Sequence, residues 1–284
     1  MSAVFGPAGN SVSFTAMGYK HSTDVPEYLE KIGLNAFEYQ CGRGVNIGLE
    51  KAAQFGKIAA QKNIKISLHA PYYISMSSVE EEKRQNSIKY ILDSAKAVNA
   101  MGGDRVIVHT GSCGKITREY ALQLATETMK NALQVLDENN LSHIRICPET
   151  MGKLNQLGDL NEVISLCEID ERLIPCIDFG HLNARTMGGL KTVEDFKFIF
   201  ESIENRLGIS RLREYHAHFS KIEYTTGGEK RHLTFEDNTF GPNFEPMIDL
   251  CIAKKCSPTI ICESAGTQAE DALQMKLYYE RNVK

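Results

Sequence analysis

Short apolar runs alternate with longer amphipathic stretches along the whole chain. Each run is rich in strand-forming residues and is followed by a polar turn, and most then lead into a stretch with a 3.6-residue hydrophobic period. The runs are Ala3–Phe5, Ala36–Gln40, Lys65–Ala70, Arg105–Thr110, Arg145–Glu149, Pro175–Asp178, Glu214–Phe219 and Thr259–Glu263. Strands that alternate with helices form parallel sheets, and about eight strands are enough to close a barrel.

The predicted helices have one apolar face and recognisable starts. From residue 117 to 140, one apolar stripe is formed by Ala121, Leu122, Ala125, Met129, Ala132, Leu133 and Leu136. Ser78 and Thr192 each precede an acidic residue by three positions, which predicts a capping box at a helix start. Further helices are predicted at Ile47–Lys62, Val79–Met101, Leu160–Cys167, Phe244–Lys255 and Ala269–Asn282.

No linker rich in proline, glycine or serine interrupts this alternation, so residues 1–284 are predicted to form a single domain. The widest gap between strands contains the polar loop Tyr224–Pro242, which would elaborate the seventh βα loop. An open, doubly wound sheet is the alternative architecture. The even spacing of the runs favours an α/β fold of the single (β/α)8 TIM barrel type.

Composition and charge exclude several classes of protein. With 284 residues, 42% hydrophobic and 24% charged, the chain is not disordered, fibrous or collagen-like. No apolar run approaches the ~18–20 residues that span a bilayer, and residues 1–7 do not resemble a secretory signal. The cysteines form no C-x-x-C pair, so we expect buried thiols, a cytoplasmic location and no membrane association. With a net charge of −4, any DNA contact must use a local basic patch.

Residues suited to metal binding lie at or near the ends of most of the apolar runs. They are His69, His109, Glu149, Asp178 followed by His181, His216 followed by His218, and Glu263. The carboxyl ends of parallel barrel strands meet at one mouth, whereas such groups are costly to bury unpaired in an apolar core. A single histidine or acid at a strand end is commonly structural, but the whole set predicts a metal cluster at the C-terminal mouth. Imidazole and carboxylate ligands suit Zn²⁺ or Mn²⁺.

The candidate ligands are more numerous than one tetrahedral ion can use, so more than one ion is predicted. Two neighbouring ions need a carboxylate that bridges them. Paired ions suit phosphodiester chemistry because they stabilise both the attacking and the leaving oxygen.

These motifs resemble the endonuclease IV family of apurinic/apyrimidinic endonucleases, within the xylose isomerase-like barrel superfamily. The resemblance covers nearly the whole chain and is carried by His69-Ala-Pro-Tyr72, Val108-His109-Thr-Gly-Ser, Pro148-Glu149-Thr, Cys176-Ile-Asp178-Phe-Gly-His181, His216 with Lys221, and Cys262-Glu263. It implies a site with three zinc ions that hydrolyses the DNA phosphodiester bond 5′ to an abasic sugar. Damaged double-stranded DNA would be the partner, with no obligate protein partner and a monomeric chain.

The resemblance also implies which residues bind the first two ions. His69 and His109 would hold one ion and share the bridging Glu149 with a second. The remaining ligands of the second ion would be Asp178, His216 and Glu263. The carboxylates Glu149, Asp178 and Glu263 would form the catalytic centre.

The expected third ion would be held by His181 and by an Asp-x-His pair in the seventh loop. His232 matches the histidine of this pair, but Lys230 stands where the aspartate belongs. An ammonium group cannot bind a cation, so Glu229 or Asp237 would have to replace the missing carboxylate, or the third ion is weak or absent.

The resemblance places Tyr72 in the damaged-nucleotide pocket and Arg43 in a loop that contacts the DNA backbone. The first loop, Gly6–Asn10, differs from the DNA-contacting segment of the family. Basic residues near the predicted mouth could contact phosphates or be ordinary solvated charges: Arg43, Lys115, Arg185, Lys221, Lys230 and Arg231.

Two further residues are expected to be bystanders. His218 shares a strand face with His216 but lies further along, so it either reaches the site or makes a supporting hydrogen bond. Cys113 follows the fourth strand and resembles a nucleophile only by position, since no base is paired with it.

Two other functions compete with the endonuclease. A sugar or sugar-phosphate isomerase or epimerase of the same superfamily works with one Mn²⁺ or Mg²⁺ ion and fewer histidines. The altered third-site motif and first loop favour such a change of function, whereas the pairs His69/His109 and Asp178/His181 favour the nuclease. A non-enzymatic protein that binds DNA or metal is the third alternative, and the intact inner ligands disfavour it.

Overall fold

The computed structural model describes residues 2–283 and contains eight parallel strands with the predicted spacing. They are β1 Val4–Pro7, β2 Ala36–Gln40, β3 Lys65–His69, β4 Arg105–Val108, β5 Arg145–Pro148, β6 Cys176–Asp178, β7 His216–Phe219 and, after a hairpin, β10 Thr259–Cys262. The helices are α1 Val12–Ala16, α2 Val25–Ile32, α3 Leu49–Gln61, α4 Glu81–Ala100, α5 Arg118–Glu138, α6 Leu160–Cys167, α7 Phe179–Arg185, α8 Val193–Arg213, α9 Glu245–Ala253 and α10 Gln268–Asn282.

The eight parallel strands close into a barrel. Regular pairing gives two four-stranded sheets, in the orders β1-β10-β7-β6 and β2-β3-β4-β5. Parallel bridges between Ala8 and Glu38 and between Glu149 and Cys176 join the two sheets at both gaps. The predicted single (β/α)8 barrel is therefore confirmed, and the open doubly wound sheet is excluded.

The helix starts follow local capping chemistry. Thr117 accepts a hydrogen bond from the Tyr120 amide at the start of α5, and Thr192 forms the predicted capping box with Asp195 at the start of α8. The capping box predicted at Ser78 is wrong, because α4 begins only at Glu81 without a side-chain cap. Helices α1, α2 and α7 were not predicted; α1 and α7 have only five and seven residues, too few to show a clear hydrophobic period.

The predicted polar loop after β7 contains an antiparallel hairpin, formed by β8 Lys221–Thr225 and β9 Gly228–Leu233. The turn uses Gly228, whose φ of 93° is a conformation that favours glycine. An added Cβ at Gly228 would lie 2.2 Å from the Gly152 carbonyl oxygen, so the hairpin packs directly on the loop after β5. This contact brings β9 to the mouth of the barrel.

The barrel interior differs from the main core between strands and helices. A small apolar cluster, formed by Ile107, Cys147, Ile174 and Cys176, is separate from that core. Because side chains alternate between the two faces of a strand, residues two positions apart share the interior. The interior also holds buried Glu38 and His216, which is unusual for a region that branched apolar side chains normally fill.

None of the helices in residues 2–283 has both the length and the apolar character needed to cross a lipid bilayer. The eight cysteines are free and buried.

Close packing of β1 against β2 predicts the effect of a methyl group at Gly6. An added Cβ would lie 1.8 Å from the Ala36 carbonyl oxygen, so the two strands would have to separate. We expect Gly6→Ala to lower the free energy of unfolding by about 3 kcal/mol, measured by chemical denaturation. The matched control is Gly48→Ala, because nothing lies within 4 Å of its added Cβ. An equal loss of stability in both variants would contradict this interpretation.

Candidate metal centre

The C-terminal ends of six strands bring acidic and histidine side chains together at the barrel mouth. Together with residues of the neighbouring loops, these side chains line a cavity of about 400 Å³. The lining residues are His69, Tyr72, His109, Glu149, Met151, Lys153, Gln156, His181, Glu229, His232 and Glu263. Four of these residues, His69, His109, Glu149 and Glu263, are the last residue of a strand or the residue just after it. The predicted convergence of strand-end groups at one mouth is therefore observed.

Glu149 lies at the centre of this site and is fully buried. Its Oε2 atom is 3.3 Å from Nε2 of both His69 and His109, and its Oε1 atom is 2.9 Å from Nδ1 of His218. Burial alone would raise the pKa of Glu149, but the neighbouring imidazoles hold it well below its usual value. The side chain is therefore a carboxylate that three imidazoles surround.

Backbone carbonyl groups orient two of the histidines. Nδ1 of His69 lies 2.8 Å from the Ala70 carbonyl oxygen, and Nδ1 of His181 lies 2.9 Å from the Thr150 carbonyl oxygen. When each Nδ1–H donates to its carbonyl, Nε2 is the free ligand atom and faces the cavity. Such outer hydrogen bonds are typical of histidines that bind metal ions.

A second group of ligand atoms adjoins the first and shares Glu149. Single ligand atoms of Glu149, Asp178, His218 and Glu263 all lie within 4.8 Å of one another. Oδ1 of Asp178 accepts the backbone N–H of His181, whereas Oδ2 is buried without a hydrogen-bond partner among the described residues. Burial, opposed by His218 and reinforced by the Glu149 and Asp178 carboxylates, raises the pKa of Glu263 to about 8.

This crowding of negative charge fits a cation. Carboxylates held this close repel one another, and a buried carboxylate oxygen without a donor is costly. The same field acts on His181: burial lowers its pKa, but Asp178, Glu149 and Glu229 together raise it to about 9. Divalent ions would neutralise the excess charge, and the mixed imidazole and carboxylate donors suit Zn²⁺ or Mn²⁺.

The expectation that His216 belongs to the second group is corrected, because the structure places His218 there. His216 is the first residue of β7 and lies deeper in the barrel, where its Nε2 atom is 3.0 Å from Oε2 of Glu38. Burial lowers the pKa of His216 to about 4, so this imidazole is neutral. Both histidines share the interior face, but only His218 is near enough to the strand end to face Glu149.

Position within the strand distinguishes the two histidines. His218 is one residue from the end of β7, whereas His216 begins this strand. Sequence reasoning also missed Glu38, which is fully buried inside the barrel. Its signal was a carboxylate in the middle of the apolar run Ala36–Gln40.

The third group contains His181, His232 and Glu263, whose ligand atoms lie within 4.8 Å of one another, and Glu229 adjoins it beside His181. Nδ1 of His232 lies 2.8 Å from the Ser220 hydroxyl, and its ring centre is 5.5 Å from that of His181. Oε2 of Glu229 lies 3.4 Å from Nε2 of His181. Of the two replacement carboxylates considered, Asp237 instead accepts the backbone N–H groups of Thr239 and Phe240 in the following loop.

A β-bulge explains how Glu229 reaches this position. In the hairpin, Arg231 pairs with Glu223 and Glu229 pairs with Tyr224, so Lys230 is an extra residue between two pairs. An extra residue reverses the alternation of side chains, which puts Glu229 on the same side as His232. The ammonium group of Lys230 points away and lies 2.6 Å from Glu223.

Tyr72 and Arg43 remain available at the mouth. Tyr72 is 57% exposed, and its ring stacks on His109 with ring centres 5.5 Å apart. Arg43 is exposed in the loop after β2, and Lys115 is also exposed. Cys113 is buried, which raises the pKa of its thiol and agrees with a bystander role.

The other predicted phosphate-binding cations are engaged within the protein. Lys221 donates to the backbone carbonyls of Phe235 and Asp237. Arg185 donates to carbonyl groups of the loop after β5, at Met151, Lys153 and Gln156. Lys230 and Arg231 both pair with Glu223. Arg185 and Lys221 therefore stabilise loops, whereas the side chains of Lys230 and Arg231 are 55% and 68% exposed.

Comparisons with known proteins agree with this architecture. The sequence profile of the xylose isomerase-like TIM barrel family matches residues 26–278. An uncharacterised protein of Methanocaldococcus jannaschii is 34% identical over 98% of this chain and 97% of its own length. A probable endonuclease 4 of Acholeplasma laidlawii is 25% identical over 56% of this chain, which spans about half (53%) of that relative.

Solved structures show the same fold. Endonuclease IV from Thermus thermophilus superposes with a TM-score of 0.69 at 17% identity, covering 98% of both chains. A D-tagatose 3-epimerase-like protein superposes with a TM-score of 0.67 at 18% identity, covering 90% of both chains. At these identities the likeness establishes the barrel and leaves the reaction open between the two chemistries.

The bulge predicts that Glu229 helps to hold a cation and that Lys230 does not. We expect Glu229→Gln to weaken retention of the most weakly held divalent ion at least about tenfold, because a charged donor is lost. Zinc content after dialysis against a competing chelator measures this effect. The matched control is Lys230→Ala, which should keep the wild-type content. Loss of metal in the Lys230 variant alone would contradict the assignment.

Proposed function

The chain belongs to the xylose isomerase-like TIM barrel family, and from this we propose that it is a zinc-dependent endonuclease that hydrolyses the DNA phosphodiester bond 5′ to an abasic site. The observation that carries the proposal is the position of Glu149 between two ligand groups. One group adds His69 and His109, and the other adds Asp178, His218 and Glu263. A carboxylate shared in this way suits a pair of neighbouring ions.

Paired ions fit the demands of phosphodiester hydrolysis. When bound, divalent ions supply Lewis acidity, which acidifies water and neutralises charge on the phosphate. His69 and His109 would hold the first ion through Nε2, while Asp178, His218 and Glu263 would hold the second. His181, His232 and Glu229 are the residues proposed for a third. Zinc suits the many imidazole donors, and Mn²⁺ is also compatible with this donor set.

The protein groups themselves provide orientation and charge. Burial would favour the neutral form of Glu149, but the imidazoles around it keep it ionised, so it would bind divalent cations without first losing a proton. The low dielectric of the buried site strengthens every charge interaction within it. The carboxylates Glu149, Asp178 and Glu263 would therefore hold divalent cations in a fixed position at the barrel mouth.

Substrate contacts are proposed at the exposed rim. Tyr72 presents an aromatic face beside His109, where it can pack against an abasic sugar or a neighbouring base. Arg43, Lys115 and Lys153 are exposed cations in neighbouring loops and can contact backbone phosphates. Lys221 is proposed to act indirectly, because its ammonium group holds the loop that contains Phe235.

A sugar isomerase or epimerase of the same family is the second candidate. The observation that favours it is the engagement of Arg185 and Lys221 by backbone carbonyl groups, which reduces the positive charge available for DNA. The cavity of about 400 Å³ also has room for a monosaccharide. This chemistry needs only the ion held by the second ligand group.

We also propose a cytoplasmic, monomeric protein that needs no protein partner. The free, buried state of the cysteines supports a reducing compartment.

One experiment separates the two candidate reactions. Purified protein is analysed for metal and incubated with a duplex oligonucleotide that carries one tetrahydrofuran abasic mimic. The endonuclease is supported if the protein contains about two or three equivalents of zinc per chain and cuts the oligonucleotide 5′ to the mimic. A single Mn²⁺ ion, no incision and interconversion of ketoses would replace the proposal with the epimerase.

Replacement of the shared carboxylate gives a sharper prediction. We expect Glu149→Gln to reduce incision by at least about a thousandfold, because it removes the charge shared by two ions while leaving the packing unchanged. Gel electrophoresis of the oligonucleotide measures incision, and circular dichroism checks that the fold is kept. The control is Cys113→Ala, which should retain activity within a few-fold of wild type. Substantial incision by the Glu149 variant would rule out the shared-carboxylate assignment.

A further inference from the structure

Glu38 is a second buried carboxylate, and it lies one layer below the metal centre. It is fully buried, and both of its oxygens have polar neighbours. Oε2 accepts from the Ser67 hydroxyl at 3.0 Å and lies 3.0 Å from Nε2 of His216. Oε1 accepts from the Gln40 amide at 3.1 Å and lies 3.0 Å from Nε2 of His218.

These contacts connect the barrel interior to the metal centre. His218 lies between two carboxylates, with Nε2 beside Glu38 and Nδ1 2.9 Å from Glu149. Nε2 of His218 lies close to this carboxylate oxygen but has no hydrogen-bond partner among the described residues, so the contact is electrostatic. Nδ1 is therefore the nitrogen on the side of the cavity, and Glu38 occupies the other side of the ring.

We propose that Glu38 is a positioning residue: it holds the Nε2 side of His218 so that Nδ1 is presented to the cation shared with Glu149 and Glu263. The proposal rests on the metal centre of the proposed function. A carboxylate that accepts the outer N–H of a ligating imidazole sets its tautomer, fixes the ring orientation and raises the basicity of the ligating nitrogen.

The surroundings of Glu38 support this role. His216, which the sequence suggested as a ligand, instead contacts the Glu38 oxygen opposite the one that faces His218. Ser67 adds a donor on the same side as His216. Together these groups fix the rotation of the carboxylate, and a fixed carboxylate can in turn fix an imidazole. If this position only filled space, an apolar side chain would do so without the cost of burying a charge. The buried carboxylate with a donor to each oxygen therefore indicates a further role.

The histidines next to Glu38 could instead belong to a separate metal site, and the experiment must distinguish this alternative. Ligand atoms of Cys176, His216 and His218 lie within 4.8 Å of one another, so they could hold an ion of their own. In that arrangement His216 would be a ligand and Glu38 would only balance charge. Replacement of Cys176 would then remove bound metal, whereas a positioning role for Glu38 predicts no such loss.

The first measurement compares zinc affinities. Protein stripped with a chelator is titrated with Zn²⁺ in competition with a chromophoric chelator. We expect Glu38→Gln to weaken zinc binding about 10–100-fold, because the amide has no negative charge to face Nε2 of His218 and only one acceptor oxygen for two imidazoles. Ser67→Ala is the matched control: it removes one donor to Glu38 without touching a histidine, and it should stay within about threefold of wild type. Cys176→Ala should keep the wild-type zinc stoichiometry.

The second measurement uses the wild-type protein and does not depend on the folding of any variant. Nitrogen-15 spectra of the zinc-loaded protein, labelled at histidine and assigned with His218→Gln, report which ring nitrogen carries the proton. We expect His218 to have a protonated Nε2 and a zinc-bound Nδ1. A Glu38→Gln variant that folds should lose this signature or show exchange between ring states.

Either of two results would overturn the proposal. One is wild-type zinc affinity together with an unchanged His218 spectrum in Glu38→Gln, and the other is zinc bound through Nε2 of His218 in the wild-type protein. Metal loss in Cys176→Ala would favour the alternative site. None of these readouts requires DNA cleavage, so a failed incision assay would reject the endonuclease and leave the role of Glu38 standing.

Discussion

The rest of this structure depends on the pairing of buried carboxylates with imidazole groups inside the barrel. Glu38 and Glu149 lie inside the parallel strands, where removing a carboxylate from water without a partner would cost several kcal/mol. Imidazoles on β3, β7 and the loop after β4 meet these carboxylates at about the distance of a hydrogen bond. Because the compensating groups come from different strands, they are in place only when the barrel is closed. Folding and assembly of the candidate centre are therefore one event.

At the mouth of the barrel, the negative charge of the carboxylates is only partly balanced by imidazoles, and this excess charge can bind cations. Three carboxylates gather around His218, yet Asp178 keeps an oxygen without a hydrogen-bond partner among the described residues, and the pKa of Glu263 is raised. The interior layer around Glu38 has donors on both carboxylate oxygens, whereas the outer layer has an excess of negative charge. The excess negative charge at the rim therefore attracts cations more strongly than the Glu38 carboxylate, whose oxygens both have donors.

The loops around the mouth show a different use of charge. Arg185 and Lys221 donate to backbone carbonyls, and Glu223 pairs with two cations of the hairpin. These contacts hold the β8–β9 hairpin and the loop after β5 against the cavity, and they position the bulge that turns Glu229 inward. The rigidity of the mouth is thus obtained with residues that would otherwise be free to contact phosphates.

The sequence by itself determined the barrel and the layer of the site, because hydrophobic period and strand-end position are local properties. It identified the eight strand runs and the convergence of His69, His109, Glu149 and Glu263. It could not decide between His216 and His218, since both share one strand face and only the register of the closed barrel shows which reaches the rim. The inward position of Glu229 depends on a bulge, and the partners of Glu38 come from two other strands. Such contacts join residues distant in the chain, so only the tertiary structure decides them.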